Sequence, residues 1–232
     1  MGNGAAVLVQ LGPVGLTRTV VTTWGVMLLL GLAAWLVTRR LRLERPGLVQ
    51  TAAEGLVLTI RQAIEAVLPG QGTALLPLVG TLWLFVAVAN LVGVVPELHS
   101  PTGDLSTTAA LALIVFFSVH WYGIRQEGVR GYLRHYLSPS PILLPFHLVS
   151  EVTRTVALAM RLFGNIMSLE LAALLVLLVA GFLVPVPLLL LHIVEALVQA
   201  YIFGMLALVY IGGALQARQP GADLQPEGGK TT

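Results

Sequence analysis

Six polar side chains that could bind or exchange an ion lie in two long apolar segments of this 232-residue sequence. The six are Arg161, Asn165, Glu170, His192, Glu195 and Gln199. An ionisable side chain near the centre of a bilayer costs at least about 2.5 to 3.5 kcal/mol, and it persists where it faces a partner, a bundle interior or water. If these segments cross a membrane, the six side chains are expected to face a partner, a bundle interior or water.

Helical spacing divides the polar groups of the first segment between two faces. At about 100° per residue, Arg154, Arg161 and Ser168 share one face, because seven residues make nearly two turns. Asn165 lies one turn beyond Arg161, near the same face. Glu170 is nine residues beyond Arg161 and points to the opposite side, about 13 Å further along the helix. This spacing excludes an ion pair between Arg161 and Glu170 within one helix.

The second segment carries a single polar stripe, since His192, Glu195 and Gln199 are spaced i, i+3 and i+7. Groups of this kind in an otherwise apolar helix indicate a hydrated path. The alternative is hydrogen bonding between spans, which holds helices together. For Arg154 the corresponding alternative is an ion pair with Glu151, one turn earlier in the sequence.

The composition favours a bilayer as solvent. Hydrophobic residues make up 56% of the chain and charged residues 10%, against roughly 25% charged in soluble domains, and the mean hydropathy is +0.88. The chain has no cysteine, which excludes disulfide and thiolate chemistry. A net charge of +2 does not indicate nucleic-acid binding. We identify no catalytic residue, metal-ligating residue or cofactor motif.

Segment lengths predict an all-α polytopic membrane protein with about five crossings, because a helical span needs about 20 apolar residues. We predict a single membrane domain, 1–232, with spans at 19–38, 73–96 and 105–123, an amphipathic helix on the cytoplasmic side at 46–68, two long helices at 141–180 and 188–217, and a cytoplasmic tail at 218–232. A helix of about 40 residues is about 60 Å long, twice the hydrocarbon thickness. The long helices must therefore bend or tilt, and Gly181 with Pro185 and Pro187 is expected to form the turn between them.

Basic residues predict the orientation through the positive-inside rule. A cluster follows the first span, comprising Arg39, Arg40, Arg42 and Arg45, whereas only Arg18 precedes it. The loop 97–104 has two acids and no Lys or Arg, and a second basic group after the third span comprises Arg125, Arg130 and Arg134. We expect the N-terminus outside, the C-terminus in the cytoplasm, and an uncleaved first span.

Several motifs together resemble subunit a of F-type ATP synthases. They are Met160-Arg161-Leu162-Phe163-Gly164-Asn165 with Glu170, then Gln199-Ala200-Tyr201-Ile202-Phe203, and Asn90-Leu91-Val92-Gly93 before Pro96. A weaker resemblance extends from the first span to about Ala214. The combination of RLFGN, a glutamate five residues after its asparagine, and QAYIF on the next helix is specific.

The resemblance implies a role for each matching position in a bacterial inner-membrane complex. Arg161 would be the essential arginine that faces a rotating ring of c subunits, with the last two helices tilted against that ring. A half-channel open to the outside would be lined by Glu170, Asn165, His192 and Gln199, with Asn90 near it and Glu195 added from its position alone. Glu151 and Arg154 would lie toward the cytoplasmic half-channel. The implied partners are the c ring, the b subunits of the peripheral stalk, the soluble ATPase head and lipid.

Two positions depart from the family pattern. Some members carry an acid at the position of Gly93, and many carry one at the position of His147. Two alternatives remain: a transporter with a substrate site around Arg161, which the lack of an internal repeat disfavours, and a structural membrane subunit whose charges join helices. The sequence leaves open whether the ion is H⁺ or Na⁺.

Overall fold

Six α-helices contain most of the residues that the structure describes. A computed structural model describes residues 7–11, 14–39, 41, 47–95, 100–137, 144–180 and 185–216. In chain order the elements are β1 (Val7–Leu11), β2 (Val14–Thr17), α1 (Arg18–Arg39), α2 (Leu48–Val67), α3 (Gly72–Val92), a 3-10 turn (Pro101–Gly103), α4 (Leu105–Leu137), α5 (Leu144–Ala180) and α6 (Pro185–Gln216). The predicted all-α polytopic architecture is confirmed.

The short hairpin before α1 is a feature that we did not predict. Strands β1 and β2 pair antiparallel, with Val9 opposite Leu16 and Leu11 opposite Val14. A Gly-Pro dipeptide at 12–13 separates the two apolar runs in the sequence, and such a dipeptide is a turn signal. Because each run has only four or five residues, hydropathy alone did not reveal the strands.

In the described part of the chain, five helical segments are long and apolar enough to cross a membrane: Arg18–Arg39, Gly72–Val92, Leu105–Arg125, Pro145–Val176 and Pro187–Leu215. Helix α2 is the sixth and turns one side toward the core, where Ile60 and Ile64 are buried. Helix α5, with 37 residues, is about 55 Å long and exceeds the hydrocarbon thickness of about 30 Å. It therefore tilts or extends beyond the bilayer.

Two helix boundaries differ from the prediction. Helix α4 continues beyond the third predicted span as far as Leu137, with a break at Gly128, where φ is 73° and ψ is 163°. Glycine adopts this left-handed φ without steric cost. Helix α6 begins at Pro185, so Pro185 and Pro187 occupy its first turn instead of the turn before it, since proline is tolerated at the start of a helix.

Several predicted features lie outside the described residues. These are Arg40, Arg42 and Arg45, Pro96 at the end of the second predicted span, residues 97–99 of the predicted outer loop, the 138–143 and 181–184 connections, and the 218–232 tail.

The core joins helices α2 to α6, with α3 and α6 packed antiparallel. Along this pair Trp83 contacts Tyr201, while Asn90 contacts Ala196. Leu68, the residue directly after α2, packs against α6, since a Cβ added to Gly212 would lie 2.9 Å from Leu68 Cδ2. The core therefore fixes α6, the helix that carries the predicted polar stripe. Helix α1 packs on α3 and leaves most of its apolar surface exposed.

Candidate functional site

The last two helices bring polar side chains together at two separate ends. Asn165 on α5 donates from Nδ2 to Oε1 of Gln199 on α6, at 2.6 Å. Nearer the start of α5, the guanidinium carbon of Arg154 lies 4.1 Å from the ring centroid of Tyr210 near the end of α6. The helices are therefore antiparallel. We call the region of Asn90, Ser100, Thr102, Glu170 and His192 the Glu170 end, and that of Glu151, Arg154 and Tyr210 the Arg154 end.

Glu170 lies against the 3-10 turn between α3 and α4. The backbone N–H of Ser100 donates to Glu170 Oε1 at 3.4 Å. A Cβ added to Gly103 would lie 3.3 Å from Oε1 and 3.4 Å from Oε2. No basic side chain forms an ion pair with Glu170 in the described part of the chain. The carboxylate is therefore held by backbone instead of by an opposite charge.

Asn90, which is fully buried, joins that turn to α6. Its Nδ2 donates to the carbonyl of Ala196 at 3.3 Å. Its Oδ1 accepts a hydrogen bond from the hydroxyl of Thr102, which is also fully buried. The amide thus uses both ends to connect α3, the 3-10 turn and α6.

His192 and Gln199 are buried, and each has a side-chain nitrogen that no described residue bonds. Their side chains are 4% and 1% exposed. Among the residues that the structure describes, Nε2 of His192 and Nε2 of Gln199 have no hydrogen-bond partner. A buried polar group without a partner is costly, so both nitrogens favour sites where water binds.

Glu195, one turn beyond His192, is half-buried. It has no hydrogen bond and no ion pair within the described ranges. The predicted stripe therefore lies on one helix, but its members do not bond to one another.

Arg161 has an exposed side chain between the two ends of the site. It lies seven residues from Arg154 and nine from Glu170, which is about 10 Å and 13 Å along the helix. Within the described residues it forms neither an ion pair nor a hydrogen bond. Neighbouring Leu162 and Ile166 are fully buried. The core side of α5 is thus filled, and the guanidinium points away from it.

The Arg154 end contains the ion pair that the sequence left as an alternative. Arg154 Nη1 lies 3.9 Å from Glu151 Oε2. The stacking of the same guanidinium on Tyr210 joins α5 to α6. Arg154 therefore contacts two partners within the chain, which distinguishes it from Arg161.

Asp104 is the residue between the 3-10 turn and α4. Its Oδ1 accepts from the backbone N–H of Ser106 at 2.9 Å and from the Ser106 hydroxyl at 2.8 Å. Burial raises the pKa of Asp104, but hydrogen bonds from Ser106 and Thr19 outweigh burial and lower it below its usual value. The turn is thus anchored at its end as well as along its length.

The structure brings Asn90, Glu170 and His192 to one end and places Glu151 and Arg154 at the other. Sequence reasoning missed Ser100, Thr102 and Gly103, although Ser-Pro-Thr-Gly is a turn signal between two spans.

His147 is exposed near the start of α5. Over the described residues, no three His, Asp or Glu side chains form a group that could hold a metal ion.

The fold and the site define a polytopic membrane protein whose last two helices carry ionisable groups within apolar segments. The ATP synthase A chain family matches residues 20–212. The chain is 66% identical over 210 residues to ATP synthase subunit a 2 of Pelobacter propionicus, covering 90% of this chain and 92% of that protein. It is 64% identical over 215 residues to ATP synthase subunit a 1 of Hahella chejuensis, with coverage of 93% and 91%. Subunit a of Legionella pneumophila is 56% identical over 210 residues, covering 90% and 91%.

The chain belongs to the family of F-type ATP synthase a subunits. It is therefore an integral membrane subunit of the Fo part of an ATP synthase complex.

Proposed function

We propose that this subunit provides two half-channels through which H⁺ or Na⁺ passes to and from a rotating c ring, so that ion flow is coupled to rotation. The observation that carries the proposal is the position of Arg161. Its guanidinium is exposed, has no partner in the described part of the chain, and lies between the Glu170 and Arg154 ends. A permanent charge between two polar regions separates two ion paths.

The chemistry of the guanidinium supports this role. It stays protonated at any working pH. It would attract an ionised carboxylate of a passing c subunit and favour release of that carboxylate's ion. It would also repel a cation moving directly from one half-channel to the other. Rotation of the ring is then the permitted route.

The outer half-channel would be lined by polar side chains of α3, α5 and α6, namely Asn90, Asn165, Glu170, His192, Glu195 and Gln199. The unpartnered buried nitrogens of His192 and Gln199 support a hydrated region there. Glu170 would receive the ion, because its carboxylate has no neutralising cation among the described residues.

The inner half-channel would open at the Arg154 end. The ion pair with Glu151 and the contact with Tyr210 hold Arg154. We assign Arg154 and Glu151 to the wall of that half-channel.

The c ring would pack against the exposed apolar surfaces of α5 and α6. On α5 the exposed side chains within about 40° of the Arg161 face include Leu175 and Val179, and on α6 the exposed side chains include Leu190, Val194 and Leu197. The b subunits and the soluble ATPase head would complete the complex in a bacterial inner membrane, with the N-terminus outside and the C-terminal tail cytoplasmic. Each elementary charge that crosses yields about 2.3 kcal/mol per 100 mV.

The test is ATP-driven ion pumping by the purified complex in vesicles. Arg161→Ala should abolish coupled pumping while the complex still assembles, and Glu170→Gln should slow it. Arg61→Ala, which removes an exposed arginine of α2, is the matched control and should pump like the wild type. Dependence on added Na⁺ identifies the ion. Wild-type pumping by Arg161→Ala would refute the proposal.

A structural subunit is the second candidate, because the hydrogen bond between Asn165 and Gln199 joins α5 to α6 in the manner of interhelical polar contacts. This alternative predicts that Arg161→Ala and Glu170→Gln reduce the amount of assembled complex before they reduce pumping per complex. Quantifying the subunit in the purified complex separates the two candidates.

A further inference from the structure

We propose that the 3-10 turn between α3 and α4 positions the Glu170 carboxylate, and that Thr102 is the positioning residue that fixes the turn. This inference rests on the proposed role of Glu170 in ion uptake. Within the described residues, the Thr102 hydroxyl bonds to Ser100 and Asn90 and not to Glu170. It acts through the backbone of the turn.

The turn approaches Glu170 at both of its ends. On one side, the N–H of Ser100, the residue directly before the turn, donates to Glu170 Oε1 at 3.4 Å. At the other end, the hydrogen that Gly103 has in place of a side chain leaves the carboxylate room. A Cβ there would lie 3.3 Å from Oε1. The position of the turn therefore determines where the carboxylate can lie.

Two buried hydroxyl groups attach the turn to α3. The Thr102 hydroxyl contacts Asn90 Oδ1, the Ser100 hydroxyl lies 2.9 Å from the carbonyl of Ala89, and the two hydroxyls are 2.6 Å apart. Two hydroxyl groups have two hydrogens to donate, so at any moment two of these three contacts are hydrogen bonds. Whichever two of the three hydrogen bonds form, at least one hydroxyl donates to an oxygen atom of α3.

Asn90 extends this attachment to α6 through the carbonyl of Ala196. The chain of contacts thus runs from α6 through Asn90 and Thr102 to Ser100, and from Ser100 to Glu170 on α5. Removing the Thr102 hydroxyl breaks the chain at its middle and leaves Asn90 Oδ1 without its donor. The turn would then hold the Glu170 carboxylate less firmly.

The experiment compares ATP-driven pumping by assembled complexes in vesicles, followed with a pH-sensitive dye or, if the complex requires Na⁺, by uptake of labelled Na⁺. Thr102→Val keeps the shape and removes the hydroxyl. We expect pumping per complex to fall about two- to tenfold, the range expected for loss of one hydrogen bond. Thr102→Ser, which keeps the hydroxyl, should restore near wild-type pumping.

Thr108→Val is the matched control. Thr108 is fully buried on α4, and its hydroxyl bonds only carbonyls of Asp104 and Leu105 in the same turn of chain. The same substitution there should leave pumping within about twofold of the wild type. Among the described residues, the Thr108 hydroxyl has no hydrogen-bond partner on another helix.

The decisive comparison is made in the Glu170→Gln background. If Thr102 acts through Glu170, Thr102→Val should slow the Glu170→Gln complex by less than about twofold, because coupled sites are not additive. An equal fold-loss in both backgrounds, or no loss in either, would overturn the inference and leave the proposed function intact. Unchanged pumping by Glu170→Gln alone would instead remove Glu170 from the ion path.

A second variant covers the case in which Thr102→Val does not assemble. Gly103→Ala places a methyl group against the carboxylate without touching the hydroxyl network. It should slow pumping in the wild-type background and add little to Glu170→Gln. Gly213→Ala, where an added Cβ meets nothing within 4 Å, is its control. Gly103→Ala that pumps like Gly213→Ala would overturn the inference.

Discussion

Trp83 on α3 packs against Gly204 on α6. This contact predicts the effect of adding a methyl group at Gly204. The Trp83 indole stacks on the Tyr201 ring, with centroids 5.6 Å apart, and donates from Nε1 to the Tyr201 carbonyl at 3.2 Å. A Cβ added at Gly204 would lie 2.7 Å from Cε2 of the indole. Carbon atoms pack at about 3.5 to 4.0 Å. Gly204→Ala must therefore displace the indole by about 1 Å, which breaks its hydrogen bond.

The size of the effect follows from three contributions. Overpacking costs about 1 to 3 kcal/mol, and the lost hydrogen bond costs about 0.5 to 1.5 kcal/mol. Alanine in place of glycine within a helix returns about 1 kcal/mol. We expect Gly204→Ala to lower the free energy of unfolding by about 0.5 to 3.5 kcal/mol.

The measurement is heat-induced loss of this subunit from the purified complex in lipid, for Gly204→Ala against Gly213→Ala. Gly213 lies on the same helix and has open space around it, so its variant gains helix propensity without a clash. Combining Gly204→Ala with Trp83→Leu should cost less than the sum of the two single changes. If Gly204→Ala dissociates at the same temperature as Gly213→Ala, the reasoning from the indole contact is wrong.

Two further predictions concern the ends of the bundle. Tyr210→Leu should lower complex stability by about 0.5 to 1 kcal/mol through loss of the contact with Arg154, whereas Tyr210→Phe keeps the ring and should not; equal melting temperatures for the two variants would contradict this. Asp104→Ala should cost about 0.5 to 2 kcal/mol by removing the bonds to Ser106 at the start of α4. Since the pKa of Asp104 is lowered in the folded protein, its contribution is present above the usual value of 3.8 and is lost as pH falls below it. A difference between wild type and Asp104→Ala that persists unchanged to pH 2 would refute that assignment.

The membrane-spanning helices could be predicted from the sequence because a bilayer restricts the backbone to structures that satisfy their own hydrogen bonds. Runs of about 20 apolar residues therefore identify helices α1, α3 and the first part of α4. Helical periodicity also predicts that Arg161 and Glu170 cannot pair within α5, and the described residues contain no such pair. Local geometry was sufficient for both conclusions.

The contacts that hold the site together could not be predicted in the same way. The Ser100 N–H and Glu170 are 70 residues apart, and Asn90 and Ala196 are 106 residues apart. Neither pair has a local sequence pattern, because each depends on how three helices pack. The continuation of α4 beyond Gly128 was missed for a different reason. Charged residues after a span predict where the chain leaves the hydrocarbon region of the bilayer. They do not predict where the helix ends, because a helix can continue into water.

The polar groups of the last two helices differ in what neutralises or binds them. Glu170 is bonded by backbone, and Arg154 has Glu151 and Tyr210. Arg161 has no hydrogen bond or ion pair among the described residues. An arginine near the middle of a span costs about 2.5 to 3.5 kcal/mol unless a partner compensates it. The described residues supply no acidic partner for Arg161, and a carboxylate on the proposed c ring would compensate this charge.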